Sequence, residues 1–510
     1  MELTRHKKNR AEPTEKRSVL ATIMFTLLLI GWVGEWPIEI DTFMYSGLWR
    51  SPFVVFGPLF APVPGISLFP WQLMLFALVP FCIGSKTPGS PRQHSREMDR
   101  AIIVSLACIA ITFAWGMLNG GGAYFAYYQL WRFLMALLIT YMLMSVIHSP
   151  RDLAALAKVV ILAALTHATL CMYFYWAYLY GKVWPLPAYI TNHDDSLLFV
   201  AAILIATVWA VLKGGKMRRI SAAVVVMYLL YAIVLNDRRI AWVEIVLSIP
   251  LGYLLLGPGP LRSRVNRWAI IAAPLVAVYI AAGTAIDSPI FAPVKALSST
   301  GSDYDPSSLT RQEEARNLLH TLVDSGNPIL GTGWGVPYDL VERYWSNYAA
   351  EWILFVYTPH NSLLGVAAFA GLFGIIGIWG VIPIGAYLGA RGYRASTDPI
   401  PRTAAWVSVG TIAAYSAHCY GDVGLQSFPC NLLFAAALAT AGKVVVWSEA
   451  AAASRAATAP ASDAQSEPAP TGRAAGWFGG RVSPSPWRRT SIPATAVAKP
   501  DRLRTRPPRL

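Results

Sequence analysis

Apolar residues in this chain are gathered into long blocks separated by short polar stretches. A bilayer core about 30 Å thick is crossed by about 20 residues of helix. Twelve blocks approach that length: residues 19–35, 66–84, 101–118, 125–147, 154–180, 196–212, 220–235, 240–256, 268–286, 361–388, 403–420 and 428–447. Each predicts an α-helix, because in lipid a segment must satisfy its backbone polar groups internally. Residues 53–84 hold five prolines, so the second block is expected to be partly re-entrant or interfacial. The first block has no small-residue cleavage site and runs into Trp36-Pro37, so it is read as a retained span. The fold class expected is an all-α integral membrane protein of about twelve transmembrane helices.

Composition agrees with this. Of the 510 residues, 55% are apolar and 14% charged, and mean hydropathy is +0.45. Ordinary soluble domains carry about 25% charged residues. A soluble enzyme, a disordered chain and a disulfide-stapled module are all excluded. The five cysteines, Cys82, Cys108, Cys171, Cys419 and Cys430, lie in or beside apolar runs without paired metal-type spacing, and read as small hydrophobes.

The net charge of +14 becomes an orientation signal once mapped along the chain. With the N-terminus inside and the spans alternating, the inside segments hold 31 of the 42 Lys and Arg, and the outside segments 8. Without the tail the ratio is still 21 to 8. Both termini are therefore expected in the cytoplasm, with no nucleic-acid partner implied. The expected organisation is an N-terminal segment at 1–18, nine spans within 19–286, one large outside loop at 287–360, three spans within 361–447, and a tail at 448–510. The loop carries nine acidic and four basic residues, with helix-like text at 308–323. The tail is rich in Ala, Pro, Ser and Arg without apolar periodicity, a composition that reads as disordered.

Polar groups at the outer ends of the spans carry the candidate chemistry. Asn236-Asp237-Arg238-Arg239 forms the whole hairpin between spans seven and eight. Guanidinium groups there suit bidentate binding of phosphate, or interfacial anchoring. Arg311 and Arg316 lie in the large loop, where Ser307 to Glu314 has the look of a helix start, with Leu318, Leu319 and Leu322 as its apolar face. Thr358-Pro359-His360-Asn361 stands at the entry to span ten, where His360 is either a general base or a helix cap. Asn192-His193-Asp194-Asp195 precedes span six, and His418 with Asp422 closes span eleven. These are metal-binding residue types, but no diagnostic ligand spacing links them and no metal or other cofactor is expected. Arg132, read as the only strongly charged residue deep in a span, either joins this basin or snorkels outward. Gly331-Thr332-Gly333-Trp334-Gly335 has no P-loop lysine and reads as a turn packed on the membrane surface.

The order of these fragments resembles the O-antigen ligase/polymerase superfamily. Asn327-Pro328-Ile329-Leu330-Gly331-Thr332-Gly333 is similar to the family's P-L-L-G-x-G segment. His360-Asn361-Ser362-Leu363-Leu364 and Gly371-Leu372-Phe373-Gly374 follow it as H-N-x-x-L and G-L-x-G do. Arg239-Ile240-Ala241-Trp242 resembles the Ser-Arg-Gly-Ala-Trp motif, with Arg238 in place of the Ser and Ile240 in place of the Gly. The likeness covers roughly 195–390. It implies a C-type membrane glycosyltransferase of the bacterial inner membrane. The donor would be a glycan on undecaprenyl pyrophosphate at the periplasmic face, and the acceptor lipid A-core, a second lipid-linked glycan or a protein hydroxyl. By motif, Arg239 and Arg311 would hold the pyrophosphate with Arg238 as helper or alternative, and His360 would be the base. Arg132, Arg316, His193, His418 and Asn361 are secondary candidates. Inverting, metal-independent transfer is the chemistry implied, with ligation favoured over polymerisation. A polytopic transporter is the competing class, which repeated halves and midplane charges would favour.

Overall fold

In the computed structural model the described residues are 19–34, 70–84, 94–182, 190–257, 260–286, 288–298, 306–325, 327–341 and 355–458. All twelve apolar blocks form helices within these bounds. They are α1 (Val19–Gly34), α2 (Pro70–Gly84), α3 (Arg96–Leu118), α4 (Ala123–Val146), α5 (Pro150–Phe174), α6 (Asp194–Lys213), α7 (Lys216–Asn236), α8 (Arg239–Leu255) and α9 (Pro260–Ala285). After the short α10 (Ala292–Ser298) and the loop helix α11 (Pro306–His320) come α12 (Ser362–Gly374), α13 (Val381–Ala395), α14 (Pro399–Gly421) and α15 (Phe428–Thr458). No strand occurs among the described residues. Among the described residues, eight helical stretches are long and apolar enough to cross a membrane, and α1 and α2 are shorter apolar helices. The protein is an all-α integral membrane protein.

Local chemistry sets the helix starts. Ser95 caps α3 by accepting from Met98 N–H. Ser149 and Asp152 form a capping box on α5, behind Pro150. Asp398 caps α14 through Ile400 N–H, and Asn361 caps α12 through Leu364 N–H. α15 continues to Thr458, past the expected end at 447. The remainder of the basic tail, and the prolines ahead of α2, lie outside the described residues.

The apolar surfaces meet around α14 and α15. α14 packs on α6, α8 and α13, and α15 is the most enclosed span, 94% of its apolar window being buried. α9 is the opposite case at 6%, a helix whose sides are left to lipid. Tyr415 and Phe434 stack face to face between α14 and α15, with centroids 4.1 Å apart.

The glycine segment 331–335 is not a surface turn. It is inserted between α3, α4 and α12, with Trp334 1% exposed. Its backbone amides are spent on protein carbonyls: Thr332 N–H on Ala368, Gly333 N–H on Phe369 and Trp334 N–H on Thr112. Trp334 Nε1–H donates to Thr112 Oγ1 at 2.8 Å, and Gln129 Oε1 receives Gly335 N–H at 2.7 Å. The insertion breaks α12 at Gly371 (φ +53), so Leu372 and Phe373 N–H turn to the carbonyls of Pro328 and Ile329. Only glycine permits this contact. A Cβ on Gly333 (φ +95) would lie 2.2 Å from Gly116 Cα, and one on Gly331 (φ +65) 2.3 Å from the Phe369 carbonyl carbon.

Candidate functional site

The ends of α6, α7, α8, α12, α14 and α15 that face one side of the bundle carry a cluster of buried polar and charged groups. The α7–α8 hairpin shows how a local turn selects side chains. Asn236 Oδ1 accepts the Ile190 and Thr191 amides at 3.0 and 2.8 Å, fixing the hairpin to the chain ahead of α6. Asp237 takes a left-handed conformation (φ +46), open to an Asp at modest cost. The turn sends the next two arginines in different directions. Arg238 is buried and donates to the Thr191 carbonyl, within the field of Asp422 and Arg311. Burial lowers its pKa to about 10, which still leaves it charged at neutral pH. Arg239 is half-buried at the start of α8 and acts on Asp237, whose carboxyl is raised by burial against the pull of that arginine.

α11 brings the loop to the same place. Its buried face is polar as well as apolar: Glu314, Asn317 and Thr321 are buried beside Leu318, while Leu319, expected on the apolar face, is 47% exposed. Asn317 Oδ1 accepts Val341 N–H and Thr321 Oγ1 accepts Asp339 N–H, so these residues fasten the loop to itself. Glu314 fastens it to α12. One oxygen accepts from His360 Nδ1 at 2.9 Å and the other from Asn361 N–H at 2.9 Å. A carboxylate can only accept, so Nδ1 carries a proton, and in the neutral ring Nε2 then carries the lone pair. Glu314 is 3% exposed at its side chain and His360 30%, so the carboxylate is buried behind a ring that reaches solvent. Arg311 is exposed one helical turn before Glu314, and its charge acts on His193, Arg238 and Asp422.

Behind this mouth lies a second group. His193 Nε2 is 3.4 Å from Asp194 Oδ1 and 3.9 Å from Asp422 Oδ1. Burial disfavours charge on His193, yet Asp194, Asp422 and Asp195 outweigh it and raise the ring above its ordinary value. Burial alone would push the Asp422 carboxyl up. The neighbouring His193, with His418, Arg311 and His360, holds it well below the usual range. His418 and Glu244 form a wholly buried pair, Nδ1 to Oε1, at 2.7 Å. Cys430 Sγ stands 3.7 Å from Asp194 Oδ1. His167 and Asp195 pair nearby at 2.6 Å.

Of the residues singled out by sequence, Arg238, Arg311, His360, His193 and His418 gather at this end. Asn361 contributes a helix cap rather than a side chain to the mouth. Arg132 is half-buried on α4, its guanidinium over the Tyr128 ring at 5.3 Å. Arg316 is on the exposed side of α11. Glu314, Glu244 and Cys430 were not anticipated. Arg132 is not the only charged residue deep in a span, because Glu244 lies inside α8 at 0% exposure. An acidic residue within an apolar block is itself a functional signal. One apolar cavity lies away from this chemistry. It is an apolar groove among α5, α6, α14 and α15, lined by Leu153, Ala201, Trp209 and Thr403, toward the opposite helix ends.

The fold and site thus define a polytopic helical membrane protein with cationic and imidazole groups converging at one end. Residues 222–379 match the O-Antigen ligase family, which supports the resemblance to the O-antigen ligase/polymerase superfamily over that segment. The matched segment contains Arg238, Arg239, Arg311, Glu314 and His360. The family points to a glycosyltransferase-like enzyme of O-antigen ligase or polymerase type, with glycan substrates and a bilayer setting. No curated protein matches the chain.

Proposed function

We propose that this protein transfers a glycan from undecaprenyl pyrophosphate to an acceptor hydroxyl at the periplasmic face of the bacterial inner membrane, with both termini in the cytoplasm. The observation that carries this is the Glu314–His360 pair at the mouth, beside Arg311 and within the family segment. The acceptor O–H gives its proton to His360 Nε2 as its oxygen attacks the anomeric carbon. The bond from that carbon to the pyrophosphate breaks, and its electron pair leaves on the phosphate oxygen. Arg311 and Arg238 neutralise the departing anion, so the transfer step needs no metal. Single displacement inverts the anomeric centre. Lipid A-core is the preferred acceptor, which makes the protein an O-antigen ligase. Polymerisation onto a second lipid-linked glycan uses the same donor end.

The test is transfer of radiolabelled glycan from its undecaprenyl-pyrophosphate donor, using full-length protein in lipid with no divalent cation added. Label on lipid A-core with inverted configuration supports ligation. A growing ladder without lipid A-core makes the protein a polymerase. A retained configuration, or no transfer to either acceptor, overturns the reading.

The hairpin geometry also separates the two arginines. Removing a hydrogen-bonded charge costs about 1.5–3 kcal/mol, or roughly 10- to 100-fold. Arg238→Ala is expected to lower kcat/KM for the donor by that factor. Arg239→Ala, partnered with Asp237, is expected to lower it several-fold at most. The reverse order in the same assay would return the motif arginine, Arg239, to the donor.

A further inference from the structure

We propose that Asp194, His418 and Cys430 form a binding site for a divalent transition metal of the zinc type, which ties together the helix ends that carry the candidate site. Three observations lead there. The donor atoms of the three residues all lie within 4.8 Å of one another, and all three residues are buried. Asp194 Oδ1 is 3.7 Å from Cys430 Sγ and 4.0 Å from His418 Nε2. In a tetrahedral zinc site, ligand bonds of about 2.0–2.3 Å put neighbouring donors about 3.3–3.7 Å apart, so a small contraction closes the set. Finally, His418 is oriented as a ligand. Its Nδ1–H is committed to Glu244 Oε1 at 2.7 Å, which turns the Nε2 lone pair toward Asp194 and Cys430. That Nε2 is fully buried and has no hydrogen-bond partner among the described residues.

A buried imidazole nitrogen without a partner is costly in a hydrogen-bond network, and it is what a metal ligand presents. The Glu244–His418 contact is the carboxylate–histidine arrangement that fixes ring orientation at metal sites. One imidazole, one carboxylate and one thiolate form a mixed N, O and S set suited to zinc rather than to magnesium or calcium. Two anionic donors balance a divalent charge, which allows the ion to be buried. A water completes the tetrahedron. The ion would join the start of α6, the last turn of α14 and the first turn of α15. These carry or adjoin His193 and Asp422. It would act as a positioning element behind the mouth and would not touch the reacting atoms.

The test reads metal and not turnover, so its outcome is independent of the proposed transfer. Full-length protein is purified in detergent and its metal measured by mass spectrometry, then Co²⁺ is added to protein stripped of metal. The expected result is about one zinc per chain, and a cobalt spectrum with visible tetrahedral bands and a near-ultraviolet thiolate band. Cys430→Ser is expected to remove the thiolate band, and Glu244→Gln to weaken Co²⁺ affinity about 10- to 100-fold. Undiminished metal in Cys430→Ser, or a wild-type protein that carries no transition metal and gives no tetrahedral cobalt spectrum, overturns the proposal. Should Cys430→Ser fail to fold, X-ray absorption on the wild-type protein decides. A sulfur at about 2.3 Å beside nitrogen and oxygen at about 2.0 Å supports the site, and a shell of nitrogen and oxygen alone overturns it.

Discussion

Glu314→Gln is expected to cut glycan transfer by about 10²- to 10⁴-fold while leaving donor affinity within a few-fold of wild type. The change is nearly isosteric, and one of the two contacts of the carboxylate survives it. The amide oxygen of Gln can still accept Asn361 N–H, so the start of α12 is kept. The other contact reverses. The amide nitrogen then faces His360 Nδ1 and donates, which moves the ring proton to Nε2. A ring protonated at Nε2 cannot take a proton from the acceptor. The loss should therefore fall on kcat, because the substitution removes neither arginine and no donor contact. Glu313→Gln, one residue earlier and half-buried, is the control and should stay near wild type. Full activity in Glu314→Gln, in protein that elutes as wild type does, would remove His360 from its role as base.

Gly333→Ala should be among the most destabilising single changes in the chain, at about 4 kcal/mol or more. Its φ of +95 already strains an L-residue, and the added methyl would meet the Gly116 backbone, with Cα at 2.2 Å and N at 2.3 Å. Backbone at that range cannot swing aside as a flexible side chain does. Relief requires withdrawal of the segment, which exposes Trp334 and strands the carbonyls of Thr112, Ala368 and Phe369. Gly120→Ala separates the two causes. It shares a positive φ (+80) but meets nothing within 4 Å, so only the conformational cost of about 1–2 kcal/mol applies. Thermal unfolding in detergent checks both. Gly333→Ala melting within a degree or two of wild type would mean that the segment is less firmly inserted than described.

The helices were legible because the signal for them is one-dimensional. An apolar run long enough for a bilayer becomes a helix whatever its neighbours, and all twelve blocks did. Residues of the candidate site were legible where a motif is local, as at Arg311 and His360. It was not legible where the answer depends on a partner elsewhere in the chain. Glu314 read as part of a helix start, since nothing in the text of 307–314 says that its carboxylate will meet residue 360. Cys430 read as a small hydrophobe, because its neighbours Asp194 and His418 are remote in sequence. The order of Arg238 and Arg239 turned on one left-handed residue, Asp237. The glycine segment looked superficial because close backbone approach leaves a mark in the sequence only as glycine, which surface turns share.

The two oxygens of Glu314 serve two different masters, the ring of His360 and the first amide of the following helix. Whatever lifts α11 away from α12 withdraws both together. On the proposed mechanism, an undocked loop is thus a silent enzyme rather than a leaky one: the base is disarmed in the same movement that opens the mouth to water. On that reading, the geometry of a single side chain would protect a lipid-borne glycan from hydrolysis while it waits for its acceptor.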